Sequence, residues 1–137
     1  MKSITTQYTE FWKHPIYDFC YIVVDVHNTI FKPTFNKTET YTYFPWAKQC
    51  LQEMSINPKI KLILWTGTYP DKIEEYLQHF LDNGIVFDYI NENPECTNSS
   101  YACFDSKFYF DIGIDDKFGF EANVDWAELY PVIIKNK

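Results

Sequence analysis

The sequence predicts an α/β domain built on a mostly parallel sheet, and three observations lead to that class. Strand-like apolar runs recur four times, at Phe19–Val24, Ile60–Trp65, Ile85–Ile90 and Lys107–Asp115. Segments with helical apolar spacing follow the first, second and last of these runs. The first run, "FCYIVV", is apolar throughout rather than alternating, the pattern of a strand covered on both faces.

Residues 1–18, "MKSITTQYTEFWKHPIYD", mix aromatics, charges and a proline without clear period, and are expected to pack as an extension onto the domain. Phe19–Val24 is the expected central strand. The stretch "IFKPTFNKTETYTY" is polar, carries Pro33 and reads as a loop or short hairpin. "FPWAKQCLQEM" then places Phe44, Ala47, Cys50, Leu51 and Met54 at helical spacing, with the N-cap expected at Thr42 or Tyr43 and Pro45 in the first turn.

"KIKLILWT" predicts a strand over Ile60–Trp65 that ends on Thr66 and Gly67. In "YPDKIEEYLQHFLDNG", Ile73, Tyr76, Leu77, Phe80 and Leu81 form one apolar stripe, and Gly84 marks the stop. "IVFDYI" predicts a third strand and "NENPECTNSSYACFD" a loop. "KFYFDIGID" predicts a fourth strand ending on Asp115 and Asp116. The end, "VDWAELYPVIIKNK", predicts one short helix and an extended tail.

At 137 residues the chain suits one domain. An aromatic share of 20% argues against disorder over most of the length. The formal charge of −7, carried with twelve lysines and no arginine, disfavours broad binding to a nucleic-acid backbone and removes the bidentate phosphate fork. Among the cysteines, Cys20, Cys50, Cys96 and Cys103 form no CxxC pair and have no His at ligand spacing, which argues against zinc. Cys20 and Cys50 read as core residues, whereas Cys96 and Cys103 flank a polar loop and would pair only in an oxidising compartment. No signal-peptide pattern opens the sequence, and no apolar run approaches the roughly 20 residues that span a bilayer. The expectation is a cytoplasmic protein with reduced thiols and no membrane partner.

In open parallel sheets, ligands bind beyond the carboxyl ends of the strands. Three strands should deliver polar groups there: Asp25, His27 and Thr29 from the first, Thr66 and Gly67 from the second, Asp115 and Asp116 from the fourth. Each alone has a plain explanation as a turn, cap or solvated loop residue. Together, carboxylates on one edge concentrate negative charge, which a cation would relieve. Oxygen ligands alone suit Mg²⁺. That cation would attract a phosphate, whose oxygens the Thr66 hydroxyl and the N–H groups after Asp25 would hold. Lys107 reads either as a neutralising cation or as a surface residue opening a strand.

These residues resemble the haloacid dehalogenase-like hydrolase superfamily, with its DxDxT, Ser/Thr, Lys and acidic-pair motifs in order. The counterparts here are "DVHNT" at Asp25–Thr29, "LILWTGT" with Thr66, "SKFYFD" with Lys107, and "IGIDDK" with Asp115 and Asp116. More narrowly, "LILWT", "GIVFDYINENP" and the later "DW" resemble the small capless phosphatases of that superfamily, over residues 19–126 of a single 1–137 domain. The resemblance implies a three-layer Rossmann-like domain without a cap, because the spans between motifs, about 35 and 40 residues, are consumed by core elements.

It further implies a Mg²⁺-dependent phosphatase in which Asp25 attacks phosphorus and forms an aspartyl-phosphate. Asp25, the His27 main-chain carbonyl, Asp115 and Asp116 would hold the metal, Thr66 a phosphate oxygen, and Lys107 the developing charge. The substrate would be a phosphorylated small molecule or a macromolecule reaching an open site, unless a neighbour in a homo-oligomer or the N-terminal segment covers it. One position departs from the pattern: His27 stands where the phosphatases carry the Asp that acts as acid and base. Either His27 serves that role, or the protein binds a phosphorylated ligand or a protein partner without turning it over.

Overall fold

The computed structural model describes residues 2–33, 41–100, 102–105 and 107–137. Four strands, β1 (Cys20–Asp25), β2 (Ile60–Trp65), β3 (Tyr89–Ile90) and β4 (Ile112–Ile114), form one all-parallel sheet in the order β3-β2-β1-β4. β1 is therefore central, pairing Cys20–Asp25 with Ile60–Trp65 on one side and Ile22–Val24 with Ile112–Ile114 on the other.

Helices α1 (Ile4–Lys13), α2 (Ala47–Ile56), α3 (Pro70–Asp82) and α4 (Asp125–Lys135) share one core with the alternating residues Cys20, Ile22, Val24, Leu62, Leu64, Ile112 and Ile114. The opposite sheet face, carrying Tyr21, Val23 and Ile63, is covered by Cys96, Phe104, Phe108, Tyr109 and Phe110 from the β3–β4 connection. Sheet, helical layer and this aromatic layer make an α/β architecture consistent with a three-layer Rossmann-like domain. Among the described residues, no helix is long and apolar enough to cross a membrane.

The outer strands are shorter than the sequence predicts, and each begins directly after an aspartate clamp. The Asp88 N–H donates to the Leu62 carbonyl while the Leu62 N–H donates to the Asp88 carboxylate, each at 2.8 Å. Asp111 clamps Tyr21 in the same way, again with both bonds at 2.8 Å. In each "FD" pair an aspartate side chain takes the place of a strand carbonyl, and ladder pairing starts at the residue that follows it, Tyr89 or Ile112.

Residues 1–18 hold a helix rather than an aperiodic extension. The Ser3 hydroxyl caps α1 by accepting from the Thr6 N–H at 3.2 Å, and Ile4, Tyr8 and Phe11 bury one stripe against the core. α2 starts later than expected: Trp46 adopts φ +68°, so Pro45 lies in the turn before the helix and neither Thr42 nor Tyr43 is the N-cap.

α3 ends as predicted, in a Schellman arrangement. Gly84 at φ +74° donates to Leu81 and the buried Ile85 donates to Phe80. The predicted stripe loses one member, since Leu81 faces solvent. The expected extended tail is instead α4, which runs through Pro131 because Trp126, Leu129 and Ile133 bury one face. All four cysteines are free; Cys20, Cys50 and Cys96 are buried and Cys103 is exposed. The loop or hairpin read over residues 30–43 falls partly outside the described residues; within them, Phe31 bridges to Tyr43.

Candidate active site

The central strand ends on Asp25, and the chain then turns at once. The Val26 carbonyl accepts the N–H groups of Ile30 at 2.9 Å and Phe31 at 3.2 Å, and the Phe31 carbonyl accepts that of Asn28 at 3.1 Å. The His27 carbonyl takes part in none of these turn bonds. Asn28 sits at φ +60°, a conformation asparagine tolerates better than most residues.

β4 delivers Asp115 to the same edge, where its carboxylate caps a 3₁₀ turn over Asp116–Phe118 by accepting from the Lys117 N–H at 2.9 Å. Carboxylate oxygens of Asp25, Asp115 and Asp116 lie within 4.8 Å of one another.

Thr29 ties the two strand ends together. Its hydroxyl donates to the Asp25 carboxylate and accepts from the Asp116 N–H, both at 3.2 Å, while its carbonyl accepts from the buried Trp126 indole at 2.7 Å. Helix α4 thus braces the turn that carries Asp25.

The electrostatics follow from this crowding. Burial, and then the Asp115 charge, push the Asp25 carboxyl up to about 6, against the opposing bonds from Val26 and Thr29. Burial also raises Asp115, which is 5% exposed. Among the described residues, none of the three acids has an ion-pair partner. An all-oxygen set with this much unbalanced charge fits a hard divalent cation.

The other expected residues sit around this cluster in different ways. Thr66 follows Trp65, the direct pairing partner of Asp25, so it occupies the adjacent strand end. It is 7% exposed, and its hydroxyl shares a 2.7 Å hydrogen bond with that of Thr68. Asn91, which the sequence reading missed, positions it. At φ +56°, Asn91 accepts from the Thr66 N–H and donates to the Thr66 carbonyl, both at 2.8 Å. The first Asn after a strand in "YINEN" was its signal in the sequence.

His27 is exposed, and its Nε2 lies 2.8 Å from the Tyr76 hydroxyl of α3, with the two rings edge to face. Among the described residues, no hydrogen bond joins it to the carboxylates. Lys107 is exposed on the β3–β4 connection and makes no ion pair with the acids. The structure thus brings Asp25, Asp115 and Asp116 together, sets Thr66 beside them, and leaves His27 and Lys107 on the periphery.

No protein-family model and no curated protein matches the chain. A solved structure described as a conserved protein from Bacteroides thetaiotaomicron is similar to it at 24% identity, with a TM-score of 0.62, over 87% of this chain and 93% of that one. At this identity the likeness establishes a shared fold, the parallel α/β sheet compatible with a Rossmann-like domain.

Proposed function

We propose that this chain is a Mg²⁺-dependent phosphatase of the haloacid dehalogenase-like type, acting on phosphate monoesters through an aspartyl-phosphate. The observation that carries the reading is the convergence of Asp25, Asp115 and Asp116 at the carboxyl edge of the parallel sheet, where none of them has an ion-pair partner among the described residues. Asp25, the His27 carbonyl, Asp115 and Asp116 would hold the ion. Bound there, it would neutralise the acids and draw in the phosphate dianion.

Asp25 then attacks phosphorus, the ester oxygen leaves, and water later releases phosphate from the carboxylate. Thr66 orients a phosphate oxygen from the neighbouring strand end, and Lys107 adds positive charge from the rim. His27 protonates the leaving oxygen and deprotonates the water, as an imidazole nitrogen can. Its Tyr76 bond sets the orientation from which it works.

The test is phosphate release from phenyl phosphate with Mg²⁺. Turnover is expected in wild type and should be lost in EDTA and in Asp25→Asn. A folded wild type that releases no phosphate with any divalent metal would overturn the reading. A second reading, a non-hydrolytic binder of phosphorylated ligands, is favoured by the same His27–Tyr76 contact, which already occupies the Nε2 of the ring. It predicts that His27→Asp creates turnover in an inert wild type, a gain of about 10²-fold or more.

A further inference from the structure

On the sheet face to which Asp25 points lies a cleft of about 780 Å³. Strand alternation sets that geometry: Tyr21, Val23 and Asp25 share one face of β1, as Ile63 and Trp65 do on β2. Val23 and Trp65 line the cleft, and Trp65 is the residue paired with Asp25. At the other side stands Phe118, two residues after Asp116. The three acids do not line the cleft themselves, but its lining reaches the strand partner of Asp25 and the residues two away from Asp25 and Asp116.

Its walls are aromatic and left unusually open. Trp65 is 43% and Phe118 47% exposed, although both rings are large and apolar. Trp65 leans on Phe108 with ring centroids 5.5 Å apart, and Phe118 stacks on Phe110 at 6.4 Å with planes 10° apart. Two aromatic pairs thus flank a space with Lys107 on its rim. A planar ring entering there meets ring faces and edges, while a phosphate on that ring would face the metal-binding acids.

We propose that this cleft is the leaving-group subsite of the phosphatase site and selects phosphate monoesters of planar aromatic alcohols. The proposal rests on the phosphatase reading for its chemistry. Its occupant is argued from continuity with Asp25, from the exposed ring pairs, and from a volume that suits one or two rings. Lys107 supplies the cation that a dianion needs, in a cleft that Glu92 and Asp105 also line.

Binding of phosphonates, which cannot be hydrolysed, tests it without relying on turnover. Phenylphosphonate and methylphosphonate are titrated by calorimetry into the wild type with saturating Mg²⁺. The phenyl compound should bind about tenfold more tightly, from ring burial and aromatic contact. Trp65→Ala and Phe118→Ala, both at exposed positions, should each bring that ratio toward one while leaving methylphosphonate affinity in place.

Equal affinity for the two phosphonates, no binding of either, or a preference that survives both substitutions would overturn the subsite. Phosphate release without aryl preference would overturn it while leaving the phosphatase reading standing. Aryl preference in binding with no release from any ester would do the reverse. A short peptide carrying a phosphonomethyl-phenylalanine, run beside phenylphosphonate, distinguishes an aryl ester on a chain from a free one.

Discussion

Asp25 occupies a position where folding and chemistry pull in opposite directions. Burial and Asp115 raise its folded-state pKa to about 6, from an ordinary value of 3.8. Between these two values the native state holds a proton that the unfolded chain has released, so stability rises as pH falls through 6. Above pH 6 the metal-free protein carries the full cost of the ionised group. Asp25→Asn should therefore be more stable than wild type at pH 7.5 in EDTA, with the gap shrinking as pH drops toward 4. Paired denaturant melts across that range check it, and a gap that widened toward acid would show that the carboxylate is stabilised in the fold.

At this same scale the sequence was informative in part. Asp25, Asp115, Asp116 and Thr66 could be placed because strand ends in a parallel sheet share one edge, and strand ends are visible as the limits of apolar runs. The surroundings of His27 could not be read that way. Its partner Tyr76 lies 49 residues further on, on a helix face that periodicity marks only as apolar.

At the scale of elements, α4 supports the site from behind. The Trp126 indole donates to the Thr29 carbonyl while its ring packs edge to face on Phe120. Removing that donor leaves a buried carbonyl unpaired and opens part of a cavity. Trp126→Phe should therefore cost about 2 kcal/mol or more, read by chemical denaturation. It should also loosen the Thr29 bridge between Asp25 and Asp116. A cost within error of zero would mean the carbonyl finds another donor.

The sequence understated this element because Pro131 reads as a helix stop. The apolar spacing of Trp126, Leu129 and Ile133 outweighs one lost hydrogen bond once a core exists to receive it. α1 was missed for a related reason: Ile4, Tyr8 and Phe11 repeat at helical spacing, but Trp12 and the polar aromatic surroundings blur the period.

For the whole molecule, metal binding and folding should be linked. The three acids repel one another without a cation, so an ion that binds only the native state adds about 2.7 kcal/mol at 100 times its dissociation constant. Saturating Mg²⁺ at pH 7.5 should raise Tm by several degrees, and Asp115→Asn should abolish most of that rise. Calorimetric melts with and without Mg²⁺ decide it; an unchanged Tm for wild type would mean that the acidic cluster does not take this ion.

The sequence by itself determined the mostly parallel α/β class, the central position of β1, the limits of β2, the stop at Gly84 and the arrival of the acids at one edge. These follow from local patterns: continuous apolar runs, helical stripes, a glycine suited to positive φ, and polar residues at strand ends. Tertiary structure alone decided where His27 turns, how Asn91 and Trp126 hold Thr66 and Thr29, where the outer strands begin, and that an aromatic connection rather than a helix lines the cleft beside Asp25. Each of these depends on contacts between residues far apart in the chain, which a sequence pattern cannot pair until the sheet brings them together.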